Sequence, residues 1–190
     1  MIETLGESKV KNMLSSFSCP YNKDIEDFLK NKAITFSDQS LSKTHLVYTS
    51  YKGKPVLVGY FALAQKYIII KKESLSKRLR SRISKFATYD QDLKQFYTSA
   101  YLIGQLSKNY SNQYDKLISG DELLKMATDK LSAIQQEIGG KIIYLECEDN
   151  EKLIEFYSRN GFVTFGKRTL EKDETELMNG KYLIQMLRYS

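Results

Sequence analysis

The sequence predicts an α/β (α+β) protein with a single mixed β-sheet flanked by helices, folded as one domain over 1–190. Three observations predict it. Helix and strand signals alternate along the chain instead of segregating into halves. Two apolar stripes recur with a 3.6-residue period, Ile25, Phe28, Leu29, Ala33 and Phe36, then Leu123, Leu124, Ala127, Leu131, Ile134 and Ile138. The segment KIIYLEC (141–147) is apolar almost without alternation, as expected of a strand covered on both faces. With 190 residues, 42% hydrophobic and 27% charged, the chain can bury one sizeable core and has too much apolar content for a disordered protein.

Element by element, the first stripe starts a helix at Asn22. THLVYTSY (44–51) is a strand by its β-branched and aromatic content, KGKP (52–55) a turn, and VLVGYFALAQKYIII (56–70) a second strand, together a hairpin or meander. The two prolines, Pro20 and Pro55, fall where the chain is expected to turn. Residues 74–86 place Leu75, Leu79, Ile83 and Phe86 on one helical face, and AYLIGQLS (100–107) is the next strand. Ser119 and Glu122 have capping-box spacing at the start of the second long helix, and Gly139–Gly140 ends it. A short helix over 148–162 stops at Gly161. FVTFG (162–166) and KYLIQMLRY (181–189) are strands joined through a turn signal at Asn179–Gly180. No linker, repeat or low-complexity tract interrupts this order.

Charge is localised. The net charge is +6, and KKESLSKRLRSRISK (71–85) alone carries seven basic residues and one acid, Glu73, so the rest of the chain balances to zero. Such a patch concentrates polyanions. No apolar run is long enough to span a bilayer, and the start shows no apolar h-region, so no membrane association and a cytoplasmic location are expected. Two cysteines make no disulfide framework and read as reduced thiols. One histidine, His45, reads as an ordinary strand residue, and no metal site is expected. Walker-type and dinucleotide glycine loops, zinc spacings and a nucleophile elbow are all absent. Cys147, at the end of an apolar strand, reads as packing.

The distinctive unit is strand–loop–helix–strand–helix over 100–162. A strand end followed by a helix N-terminus presents free N–H groups and positive dipole density, which suits a phosphate or pyrophosphate. The loop NYSNQYDKLISG adds Lys116 and small hydroxyl groups. The second half places Asn150 at a helix start and Tyr157 two turns along, before Gly161 and Phe162.

In Y-L-I-G-Q-L (101–106), G-D-E-L-L (120–124) and, most specifically, F-Y-x-x-N-G-F (156–162), the chain resembles the GNAT superfamily of acetyl-CoA-dependent N-acetyltransferases. The resemblance covers roughly 17–166. F-S-C-x-x-x-x-x-I-x-x-F-L (17–29) and V-G-Y-F-A-L (58–63) are similar, more narrowly, to the GNAT toxins of toxin–antitoxin modules, several of which acetylate the amine of aminoacyl-tRNA. The resemblance implies that main-chain groups of Leu102, Ile103 and Gln105 lie along the pantetheine arm of acetyl-CoA, like an added strand. It implies that the loop 113–120, with Lys116, Ser119 and Gly120, takes the pyrophosphate, and that Asn150 bonds the pantetheine region. Tyr157 is implied as the acid that protonates the departing thiolate, since a phenol stays protonated at neutral pH. The family's Q/R-x-x-G-x-G/A loop is altered here: Asp115 and Ile118 stand at its first position and first glycine, and only Gly120 is kept. Either Asn112 and Gln113 re-register the loop, or affinity for CoA is reduced.

The basic residues Lys77, Arg78, Arg80, Arg82 and Lys85 read as a solvated face, a contact for the CoA 3′-phosphate, or an RNA-binding face, with Tyr89, Tyr97, Tyr101 and Tyr110 available to stack on bases. The expected function is transfer of acetyl from acetyl-CoA to a primary amine by direct attack in a ternary complex. The amine of an aminoacyl-tRNA is the preferred acceptor, with a polyamine, an antibiotic or a protein amine as alternatives. The general base stays open among Glu146, Glu148 and a water chain. A second copy of the chain and an antitoxin protein are the further partners the resemblance implies. The competing reading is a non-catalytic RNA- or partner-binding module that keeps the fold.

Overall fold

In the computed structural model, which describes residues 7–170 and 182–190, β-branched and aromatic segments pair into one seven-stranded mixed sheet. The strands are β1 (Lys43–Tyr51), β2 (Lys54–Lys71), β3 (Thr88–Asp90), β4 (Gln95–Lys108), β5 (Ile142–Glu148), β6 (Val163–Thr169) and β7 (Tyr182–Tyr189). Their order is β1-β2-β4-β5-β7-β6, with β3 attached to β4. The β4–β5 pair is parallel and the β1–β2, β3–β4, β5–β7 and β6–β7 pairs are antiparallel. The helices are α1 (Glu7–Ser15), α2 (Lys23–Asp27), α3 (Ala33–Asp38), α4 (Lys77–Ile83), α5 (Gly120–Ile138) and α6 (Glu151–Arg159). The turn expected at Asn179–Gly180 lies outside the described residues. No described helix is long and apolar enough to cross a membrane.

The chain groups into two compact units, Met1–Ala64 with Gly104–Ala127, and Gln65–Ile103 with Thr128–Ser190. In the first, Phe17, Phe28, Leu29, Leu57 and Tyr60 form the centre of the core. The helix expected from Asn22 forms as α2, capped by the Asn22 side chain on the Ile25 N–H, then a π turn over Phe28–Lys32, then α3. The π turn still buries Phe28 and Leu29, and the Ala33 N–H donates to the Phe28 carbonyl five residues back. The Tyr60 hydroxyl donates to the Ile25 carbonyl at 2.6 Å, tying this helical segment to β2. The β1–β2 turn is only two residues, Lys52 and Gly53, both with positive φ, so Pro55 lies inside β2 opposite Ser50 instead of in the turn. At Gly59 a Cβ would come 2.9 Å from the Ser107 carbonyl and 3.2 Å from Leu123, so only glycine permits this approach.

In the second unit Ile70, Ile83, Ile142, Tyr144 and Leu187 are fully or almost fully buried in one cluster. The helix expected over 74–86 is shorter. Leu75 is extended and buried, Ser76 caps α4 on the Leu79 N–H, and Phe86 lies beyond the helix, 42% exposed. The repeat Leu75–Leu79–Ile83–Phe86 is therefore not one helical face: Leu75 and Ile83 are buried from different backbone conformations. The stripe of α5 also ends early, since Ile138 is 73% exposed. Gly139 and Gly140 end α5 with φ of 81° and 97°. The Tyr101 hydroxyl donates to the Gly139 carbonyl at 2.5 Å, and a Cβ on Gly140 would meet the same ring.

Candidate functional site

In the first unit the site begins at the end of β4. Asn109, the next residue, is completely buried. Its side-chain amide donates to the Leu57 carbonyl at 2.9 Å, and its side-chain oxygen accepts from the N–H groups of Ser18 and Ser111 and from the Ser111 hydroxyl. Its own N–H donates to Val58, and Tyr110 N–H to Ser18. One amide thus fixes where the chain leaves the sheet. Sequence reasoning missed Asn109, because an asparagine between Lys108 and Ser111 is indistinguishable from an ordinary loop residue. Gln105, one of the expected pantetheine positions, donates from its side chain to Asp24 at 3.0 Å.

The loop beyond Asn109 is a 3-10 segment, Ser111–Leu117, kinked where Asn112 and Gln113 take left-handed φ of 51° and 60°. Both are exposed, as are Lys116 and Ser119, and Lys116 donates to the Gln113 side chain at 2.7 Å. Ile118, the residue that displaces a family glycine, is 7% exposed, so its side chain is turned into the interior. Gly120 opens α5. The capping box forms in full: Glu122 accepts from the Ser119 N–H and hydroxyl at 2.8 and 2.7 Å, and the Ser119 hydroxyl accepts from the Glu122 N–H. The hydrogen bond from the Ser119 N–H, then that from its hydroxyl, holds the Glu122 carboxyl below its ordinary value. An anion at this helix start therefore meets a carboxylate already seated on the Ser119 amide. The exposed Asn112, Gln113 and Lys116 and the glycine at the start of α5 are the groups that could meet a phosphate here, and Glu122 would have to leave the Ser119 amide for it.

In the second unit β4 pairs with β5 at Tyr101↔Ile143 and Leu102↔Tyr144. Ile103 and Leu145, the next residue on each strand, lie outside that register. Asn150 caps α6, its side-chain oxygen accepting from the Lys152 N–H at 2.9 Å. Asn150 thus has a structural duty besides the pantetheine contact that the resemblance implies. Tyr157 is 9% exposed, edge-on to Phe156 at 4.9 Å and to Phe162 at 5.9 Å. Its carbonyl accepts from Asn160 and Phe162, closing α6 before Gly161, whose φ is 85°. Burial, and then the nearby Cys147, push the Tyr157 phenol well above its ordinary value. Burial, then Asp149 and Glu148, raises the Cys147 thiol to about 11.

Of the candidate bases, Glu146 is held by a fork of Arg168, with Nε at 3.0 Å from both carboxylate oxygens and Nη2 at 2.7 Å from one. It also accepts from the Tyr144 hydroxyl and from Gln185 at 3.1 Å. Burial raises this carboxyl, but the bonds from Arg168, Tyr144 and Gln185 outweigh it and hold the group below the ordinary value. A carboxylate so stabilised is a poor proton acceptor.

The basic residues divide. Lys77 and Arg78, on α4, and Lys85, beyond it, are exposed. Arg80 donates through Nε to the Leu75 carbonyl at 2.8 Å, and Arg82 lies 5.0 Å over the Tyr189 ring. Of the tyrosines offered for stacking, Tyr101 is committed to the end of α5, and Tyr110 packs edge-on to Tyr21. Tyr89 lies against Phe96 and under Lys72, while Tyr97 stacks with Tyr67. His45 stacks on Phe61 at 5.0 Å, as a strand residue, and both cysteines are buried and free. Among the described residues no cluster of metal-ligating side chains occurs.

No protein-family model and no curated protein matches the chain. Solved structures do. A tyrosine-to-phenylalanine variant of KacT matches with a TM-score of 0.61 and 19% identity, over 90% of this chain and 85% of that one. AtaT complexed with acetyl-methionyl-tRNA matches with a TM-score of 0.61 and 17% identity, over the same shares. An AtaT mutant toxin bound to acetyl-CoA and to the C-terminus of the antitoxin AtaR matches with a TM-score of 0.58 and 14% identity, over 93% and 84%. Matched to these toxin structures over about 90% of its length, the chain, with its single seven-stranded mixed sheet, has the GNAT fold.

Proposed function

We propose that the protein is an acetyl-CoA-dependent N-acetyltransferase whose acceptor is the amine of an aminoacyl-tRNA. One observation carries the reading: the β4–β5 ladder ends at Leu102↔Tyr144, although both strands continue. Main-chain groups of β4 from Ile103 to Gln105 are then candidates to hold an extended pantetheine arm. Leu102, which the resemblance also implies, is the last residue of β4 paired with β5 and lies at the edge of that stretch. Asn112, Gln113, Lys116, Ser119 and Gly120 would receive the diphosphate, and Asn150 the pantetheine amide. Bound acetyl-CoA supplies an activated thioester acetyl group, and the amine attacks it directly.

Tyr157 donates the proton to the departing thiolate. Burial raises its phenol, and the same loss of water would raise the leaving thiol beside it. Glu146 is an unsuitable base, which leaves Glu148 and a water chain. Two AtaT complexes, one with an acetylated aminoacyl-tRNA and one with acetyl-CoA, support the substrate pair. The complex with AtaR supports an antitoxin protein as a partner, and a second copy of the chain is the remaining partner of this reading.

The test is transfer of labelled acetyl from acetyl-CoA to aminoacyl-tRNA, with Tyr157→Phe beside the wild type. Turnover of the variant falls about 100-fold with unchanged cofactor affinity, in the range expected when one proton donor is lost. Equal turnover removes Tyr157 from the acid role. The Glu122 carboxylate at the start of α5 favours a second reading, a binding module that no longer takes the cofactor. Absence of both transfer and cofactor binding would favour it.

A further inference from the structure

The second unit holds a charged pocket that the site above does not use. Lys71, Lys72 and Arg80 meet Lys94, from the β3–β4 turn, around a space of about 400 Å³, with Glu73 the one acid in its lining. The pocket is built by local structure. The Lys72 N–H donates to the Lys94 carbonyl at 2.9 Å, and the Arg80 guanidinium is held by the Leu75 carbonyl. In the turn, the Asp90 carboxylate is spent on the N–H groups of Asp92 and Leu93. Lys94 lies outside the basic segment 71–85, so folding adds a cation to a charge run that was already dense.

An aromatic surface leads into this pocket. Alternation places Tyr67, Ile69 and Lys71 on one face of β2, and Gln95 and Tyr97 on one face of β4. The Tyr67 and Tyr97 rings stack at 6.3 Å and 29°, so the two sets share a face, and Lys71 and Gln95 belong to both the face and the pocket. Tyr67 is 64% exposed and Ile69 53%. Packing leaves these two side chains largely in water. Cations that hold a phosphate beside an exposed ring that takes a base are the combination that binds single-stranded nucleic acid, whereas an acidic peptide has no use for the ring.

We propose that this surface binds single-stranded nucleic acid, with phosphates in the pocket of Lys71, Lys72, Arg80 and Lys94 and a base laid on Tyr67. It rests on the aminoacyl-tRNA reading only for the choice of RNA as probe. Its test uses binding and no turnover, so the two can fail separately. Fluorescence anisotropy of a short single-stranded RNA is measured over a salt series with the wild type, Tyr67→Ala, and the double variant Lys72→Gln/Lys94→Gln. Both variants carry surface changes only, and their melting midpoints are checked against the wild type for folding. Loss of two phosphate contacts lowers the log–log salt slope by about 1.4, at roughly 0.7 per contact. Tyr67→Ala weakens binding about ten-fold and leaves the slope alone. An unchanged slope in the double variant overturns the proposal, and so does equal affinity for duplex RNA or for polyglutamate.

Discussion

The ends of β4 and β5 are organised by opposite chemistries. After β4 a neutral amide, Asn109, is fully buried and satisfied by main-chain and hydroxyl partners. Near the end of β5 an ion pair, Glu146–Arg168, is 12% and 24% exposed and is braced by Tyr144 and Gln185. Both satisfy their hydrogen bonds, but only the second couples its region to pH. The exit of the chain from β4 at Asn109 is thus set by a device indifferent to protonation. The strand leading to α6 and Tyr157 is set by a device that acid can dismantle.

The largest effect should come from breaking the ion pair. Arg168→Ala leaves the Glu146 carboxylate buried without its main partner and should cost about 3–5 kcal/mol in denaturant unfolding. The sign of the pH dependence follows. The native Glu146 carboxyl lies below its ordinary value, so its contribution is present above the unfolded carboxylate range and is lost as pH falls through the native value. The deficit of the variant should therefore narrow as pH is lowered from neutrality to below 4.5, the reference value for this carboxyl. A deficit that stays constant would show that Arg168 acts by packing. Next in size, Asn109→Ala strands the N–H groups of Ser18 and Ser111 and should cost about 3 kcal/mol, equally across that pH range. A pH-dependent loss would erase the contrast between the two ends. The smallest effect is expected at the start of α5. Glu122→Gln removes a negative charge from the place proposed for a diphosphate, and should tighten acetyl-CoA binding a few-fold by calorimetry. Weaker binding would mean that the carboxylate positions the loop without competing for it.

What could be read from the sequence was what is local. The Ser119–Glu122 box spans three residues, and the stripe from Leu123 to Leu131 is written in one helix, so both were legible. The Asn150 cap and the Gly161 stop were legible for the same reason. Asn109 was hidden because its partners Ser18 and Leu57 lie 91 and 52 residues away. Arg168 looked like any surface arginine until β6 and β7 brought it to Glu146. Strand β3 has only three residues and owes its existence to pairing with Gln95, Phe96 and Tyr97. At 74–86 the apolar period was genuine but misleading, since Leu75 reaches the core from an extended backbone. Ser76, a capping residue followed by Lys77 and Arg78, was the overlooked sign of where the helix starts.

The most direct trial is the thermal midpoint of the purified chain over a titration with acetyl-CoA. A ligand held only by the folded state at about 100 times its dissociation constant adds ~2.7 kcal/mol. For a chain of this length that raises the midpoint by roughly 5–10 °C. The account predicts that rise. A midpoint unmoved at millimolar acetyl-CoA would contradict it.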